Sequence, residues 1–211
     1  MLSSIVIKSV LAVATLASAA LSAPAAGTIS CGPLSTKATQ LQLGNGNAGG
    51  YITPFTVGQQ TSAGGQVQLV ELKGAAKKLE VFHQQCNSTH LGFTFHEQYY
   101  PGDSPIKLKL ASDTTKCVQR HAALHSNNPS GRTHLTIEPC SDVDNADQAR
   151  QFFNFYNPYG EITSIYKRNG KIGNYGYATS KGSPNAILVG DEKNVQPAGT
   201  NGYPPVLFLK S

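Results

Sequence analysis

Charge is scarce in this chain. Asp, Glu, Lys and Arg make up 14% of its 211 residues, and the only methionine is the initiator. No C-x-x-C pair is present, which removes the usual zinc-ribbon and redox spacing. There is no G-x-S-x-G elbow, and no Ser-His-Asp or Cys-His set assembles from the remaining residues. Acidic residues are few, and no two stand out as a carboxylate pair for glycoside hydrolysis. Past residue 25 no run of about 18 apolar residues occurs, so no later segment is expected to enter a membrane. The chain is read as non-enzymatic, with no cofactor and no metal.

What is present begins with a leader. Met1–Ala25 has one basic residue, Lys8, no acidic residue, a long apolar stretch and small residues at Ala17-Ser18-Ala19 and Ala23-Pro24-Ala25. That pattern predicts a cleaved signal peptide and a secreted, extracellular product. Cleavage takes the formal charge from +5 to +4, too small a value to imply a partner, and secretion argues against nucleic acid. Cys31, Cys86, Cys117 and Cys140 all lie beyond the leader, which predicts two disulfides in an oxidising compartment, with three possible pairings. Asn87-Ser88-Thr89 is a glycosylation sequon and predicts that Asn87 faces solvent.

Gly, Pro, Thr and Asn punctuate short alternating runs, which suits strands joined by polar turns better than helices. After a lead-in at 26–50, three sets of four such runs follow. The first comprises Ile52–Val57, Gln66–Glu71, Leu79–Cys86 and Leu91–His96. The second comprises Ile106–Leu110, Lys116–His121, Leu135–Cys140 and Gln151–Tyr156. The third comprises Glu161–Tyr166, Tyr175–Ala178, Ala186–Val189 and Val206–Leu209. Cys86 and Cys140 close the third runs of two sets, 54 residues apart. The sets open on the similar strands YITPFTV, PIKLKLA and GEITSIY. An all-β fold is expected, as a β-trefoil of three four-stranded repeats (about 51–98, 99–158 and 159–211). A two-sheet sandwich is the alternative, but it does not require threefold spacing. Asp142–Arg150 is expected to form a helical turn.

Cys117-Val118, Cys140 and Gln151-Phe152-Phe153, with the repeat spacing, resemble the ricin B-type lectins, whose Gln-x-Trp motif would here carry Phe in place of Trp. The resemblance implies a Cys117–Cys140 bond, leaving Cys31 to pair with Cys86 and tie the lead-in to the first repeat. It also implies non-catalytic binding of a glycan or glycoprotein on a cell wall or host surface. Where sugar-binding members carry an Asp and a stacking aromatic, this chain has Gln119 and Glu138. The contacts are therefore expected from amides and loop side chains: Gln119, His125, Asn128 and Gln151. The other reading is a protein-interaction module, such as a protease inhibitor, acting through 121–132 or 192–203. His121 and His125 are expected to be exposed loop histidines, and Asp142, Asp144 and Asp147 solvated turn or helix-cap carboxylates.

Overall fold

A computed structural model describes residues 27–45, 55–62, 65–72, 78–93, 103–121, 132–156, 160–168, 170–180, 185–190 and 205–210. The expected leader, His125, Asn128 and most of both loops named above lie outside those residues. The strands begin with β1 (Gly27–Thr28), β2 (Cys31–Leu34), β3 (Thr39–Asn45), β4 (Phe55–Thr61), β5 (Val67–Leu72) and β6 (Glu80–Cys86). They continue with β7 (Asp103–Leu110), β8 (Lys116–Arg120), β9 (Arg132–Pro139), β10 (Val143–Asp144) and β11 (Phe153–Tyr156). The last four are β12 (Glu161–Arg168), β13 (Lys171–Thr179), β14 (Asn185–Gly190) and β15 (Pro205–Lys210). The expected helical turn is a single 3-10 turn at Gln148–Gln151. The chain is all-β.

The antiparallel ladders close into a ring of ten strands. Its order is β3-β4-β5-β14-β9-β8-β7-β11-β12-β15, and β15 returns to β3. β6 lies across the ring, paired with both β3 and β7, so a shorter circuit β3-β6-β7-β11-β12-β15 closes as well. β13 pairs with β12 and β14, and β2 runs beside β6.

These ladders correct the β-trefoil expected from three four-stranded sets beginning at Tyr51. Where the first set's fourth strand is expected, the described residues Leu91-Gly92-Phe93 form a turn, with Gly92 at φ 80° and a single bridge from Ser88 to Phe93, while 94–96 lie outside the described residues. The turn's apolar residues alternate because it packs Leu91 and Phe93 beside Cys86, not because they line a sheet. The lead-in supplies a ring strand instead. Leu43 pairs with Leu207 on one side and with Phe55 on the other.

Alternation explains the core. Leu41, Val57, Leu69, Val81, Leu108 and Leu207 are each fully buried, and they belong to one cluster inside the barrel. A smaller cluster under the Leu91 turn gathers Ile29, Phe93, Phe152 and Ile165 around Cys86. The two disulfides are Cys31–Cys86 and Cys117–Cys140. The first joins the lead-in to β6, and the second holds β8 against the end of β9.

Candidate functional site

On β6, Val81, His83 and Gln85 share one face, because successive strand side chains point to opposite sides. Val81 is in the core, so His83 and Gln85 continue that inner face toward the barrel rim. The neighbouring strands follow the same course. Leu108 stands opposite His83 and Ile106 opposite Gln85 on β7, while Phe153 and Phe155 on β11 face Ile106 and Ser104. The inner surface thus passes from Val81, Leu108 and Phe153 to His83, Gln85, Ser104 and Phe155 at the mouth. Barrel mouths are frequent ligand sites, because apolar walls there meet a few convergent polar groups.

A fourth wall comes from Gly32–Thr36. The register of β2 against β6 slips between Cys31 and Leu34. Such a slip suits Pro33, which has no N–H to place in a ladder. Cys31–Cys86 anchors this strap at one end. The Gln84 amide donates to the Gly32 carbonyl at 2.7 Å, and Ser35 N–H to the His83 carbonyl at 2.9 Å. The result is a groove of about 410 Å³ lined by the strap, His83, Gln85, Ser104, Ile106 and Phe155.

His83 stacks on Phe155 with ring centroids 5.3 Å apart and planes 29° off parallel. Burial pushes its pKa below the ordinary 6.5, and its buried Nδ1 has no hydrogen-bond partner to stabilise an imidazolium. The ring is neutral at pH 7. Gln85 and Ser104 side chains make no hydrogen bond among the described residues, so their donors and acceptors are available at the rim. The described residues of the site offer stacking and hydrogen bonding and carry no charged side chain.

His134 is lowered too, first by burial and then by the nearby His121. Below pH 6.5 the unfolded chain therefore binds more protons than the folded one. The contribution of both histidines is complete above about pH 6.5 and declines as pH falls toward their folded values. A urea midpoint that drops over this mildly acid range is expected; a flat one contradicts the burial of both rings.

Of the four expected contact residues, the fold brings Gln119 and Gln151 together, 5% and 3% exposed. Gln151 Nε2 donates to Gln119 Oε1 at 2.9 Å and to the Pro139 carbonyl at 2.8 Å, while its Oε1 accepts from Ser141 N–H at 3.0 Å. Both amides are turned inward and cross-link β8, the end of β9 and the 3-10 turn. Gln151→Ala is expected to lower stability by about 2 kcal/mol, since it strands the Ser141 N–H and the Gln119 oxygen. Chemical denaturation beside Gln151→Glu would measure this.

Other buried polar groups also serve structure. Arg120, 2% exposed, lies 4.8 Å over the Tyr175 ring and donates to the Ala149 carbonyl at 3.4 Å. Burial lowers it to about 10, so it stays charged at pH 7. Lys107, lowered by burial to about 8, donates to the Ser141 carbonyl at 2.5 Å. Asn87 is half-buried, with its side-chain oxygen enclosed. Asp144, expected in a solvated turn, is 6% exposed and accepts from Ser88 and Thr89 hydroxyls at 2.6 and 2.5 Å. A second groove of about 380 Å³ lies at the opposite end of β6, beside Gln59, Lys78, Glu80 and Ser112, with no ring among the described residues that line it.

His83, Gln85 and Ser104 belong to no motif in the sequence and were not among the expected contact residues. The one available signal was that Leu79–Cys86 keeps its alternation while its inward residues change from apolar to polar. No family model matches the sequence, and neither does any curated protein.

Proposed function

We propose that the chain is a secreted, non-catalytic carbohydrate-binding protein whose ligand seats in the barrel mouth. The observation that carries this reading is the neutral His83–Phe155 stack beside the unengaged amide of Gln85 and hydroxyl of Ser104. A sugar presents an apolar C–H face and a ring of hydroxyls, and the mouth offers a partner for each. Two disulfides are compatible with an extracellular setting. Among the described residues the groove's lining offers no carboxylate, whereas glycosidases characteristically use a pair, which favours a binding reading. The likeness to ricin B-type lectins belongs to the same proposal, through Gln151-Phe152-Phe153 and the Cys117–Cys140 bond, although Gln151 is not at the mouth.

The test is a glycan array probed with the folded, disulfide-intact protein beside Phe155→Ala and Phe155→Leu. Binding by the parent that falls in Phe155→Ala, with the fold verified by near-UV circular dichroism, supports the reading. A blank array from verified folded parent ends it and directs attention to a protein partner.

A further inference from the structure

We infer that the barrel mouth accepts an uncharged sugar unit and rejects acidic saccharides; this rests on the carbohydrate reading above. Among the described residues that line the groove, none is Lys, Arg, Asp or Glu. Recognition of a carboxylate or sulfate calls for a cation or a cluster of N–H donors, best of all the planar fork of Arg. No such cation faces the groove from the strands that build it. Lys107 and Lys109 alternate onto the other face of β7, opposite Gln84 and Phe82, and the Lys107 amine is already held by the Ser141 carbonyl. Lys37 is exposed, one residue beyond the strap's lining segment.

The floor adds to the discrimination. Ile106 is 1% exposed beneath the groove, and Phe155 packs partly against the barrel core. An ionised group brought against this surface would lose water without gaining a counter-charge, which is costly. A hydroxyl loses less and has partners here: Gln85 supplies both N–H donors and a carbonyl acceptor, and Ser104 can act either way. The volume, about 410 Å³, is at the small end of ligand pockets, so about one or two sugar rings would fit while the rest of a chain remains outside.

The experiment is calorimetric titration of the full, disulfide-bonded chain at neutral pH. The uncharged probes are cellohexaose, laminarihexaose, maltohexaose and chitohexaose; the acidic ones are hexagalacturonate and a heparin hexasaccharide. At least one uncharged probe should bind, with both acidic probes weaker by about tenfold or more. Gln85→Ala should weaken the uncharged probe by about tenfold, as expected for one lost, well-formed hydrogen bond. Ser104→Ala checks the same rim from β7 without removing a packed ring. Tighter binding of an acidic probe overturns the inference while leaving carbohydrate binding standing. So does uncharged-probe binding that is indifferent to both substitutions. Failure of all six probes overturns both.

Discussion

Replacing Cys31 and Cys86 together by serine is expected to abolish ligand binding at the mouth and to lower folding stability by about 4 kcal/mol. The bond spans 55 residues, and in the chain-entropy model closing a loop of that size restricts the unfolded chain by about that amount. The binding effect has a separate origin. Gly32–Thr36 forms one wall of the groove, and its anchor at the Cys31 end is this cystine. Without it, the strap is held by a few hydrogen bonds to β6, including those of Gln84 and Ser35. Cys117–Cys140 provides the comparison. It spans 23 residues, so the model gives about 3 kcal/mol, but it borders no groove residue. Serine at that pair should cost stability and spare binding wherever the variant remains folded. Urea midpoints and saccharide titration on both double variants separate the two effects. Equal binding by the two folded variants would refute the role given to the strap.

The second large effect is expected at Asp144. Its carboxylate accepts from the Ser88 hydroxyl, the Thr89 hydroxyl and, at 3.0 Å, the His90 N–H. The Ser88 oxygen in turn accepts from Leu91 N–H at 3.0 Å, so one carboxylate organises the whole turn over the smaller core cluster. Hydrogen bonds to a charged group contribute about 1.5–3 kcal/mol each and are not additive when they share an acceptor. Asp144→Ala should therefore cost about 3 kcal/mol. Burial raises the carboxyl pKa, but the bonds from Ser88, Thr89 and His90 outweigh it, and the net value lies below 3.8. The folded state thus holds the proton more weakly than the unfolded one. Asp144 contributes fully above about pH 3.8, and its contribution disappears as pH falls through the lower folded-state value. Asp144→Asn, similar in shape and uncharged, should be destabilised at neutral pH and should lose part of the parent's acid sensitivity. A change within about 0.5 kcal/mol for Asp144→Ala, the range of an ordinary surface substitution, would contradict this account.

Strands β7 to β9 and β11 to β15 were legible because apolar residues alternate, or in β14 run together, between turn signals. β3 was legible only as a short strand in a Gly- and Asn-rich lead-in. Its place in the ring depends on β15, which lies at the far end of the described chain. Within the expected strand Leu91–His96, the described part Leu91-Gly92-Phe93 is a turn, because alternation over so few residues does not distinguish a strand from a turn with two buried side chains. The fold brings Gln119 and Gln151 together although they stand 32 residues apart in the sequence. Sequence spacing cannot say whether an amide points toward a ligand or into a hydrogen-bond network. The mouth was hidden for a related reason. Its side chains come from β2, β6, β7 and β11 and converge only through register, Gln85 beside Ile106 and Phe155 beside Ser104.

The position of β15 has a consequence for biosynthesis. This strand fills the gap between β3 and β12, pairing Phe208 with Gln42 and with Glu161. A nascent chain lacking it leaves the facing edges of β3 and β12 open, the first formed by residues synthesised long before β15. Such edges invite pairing with other chains. Contacts between distant parts of a chain also form slowly, because loop entropy is lost before the contact forms. The ring can close only after Lys210 has been synthesised, so the period between first emergence and final closure is when this protein is most exposed to misassembly.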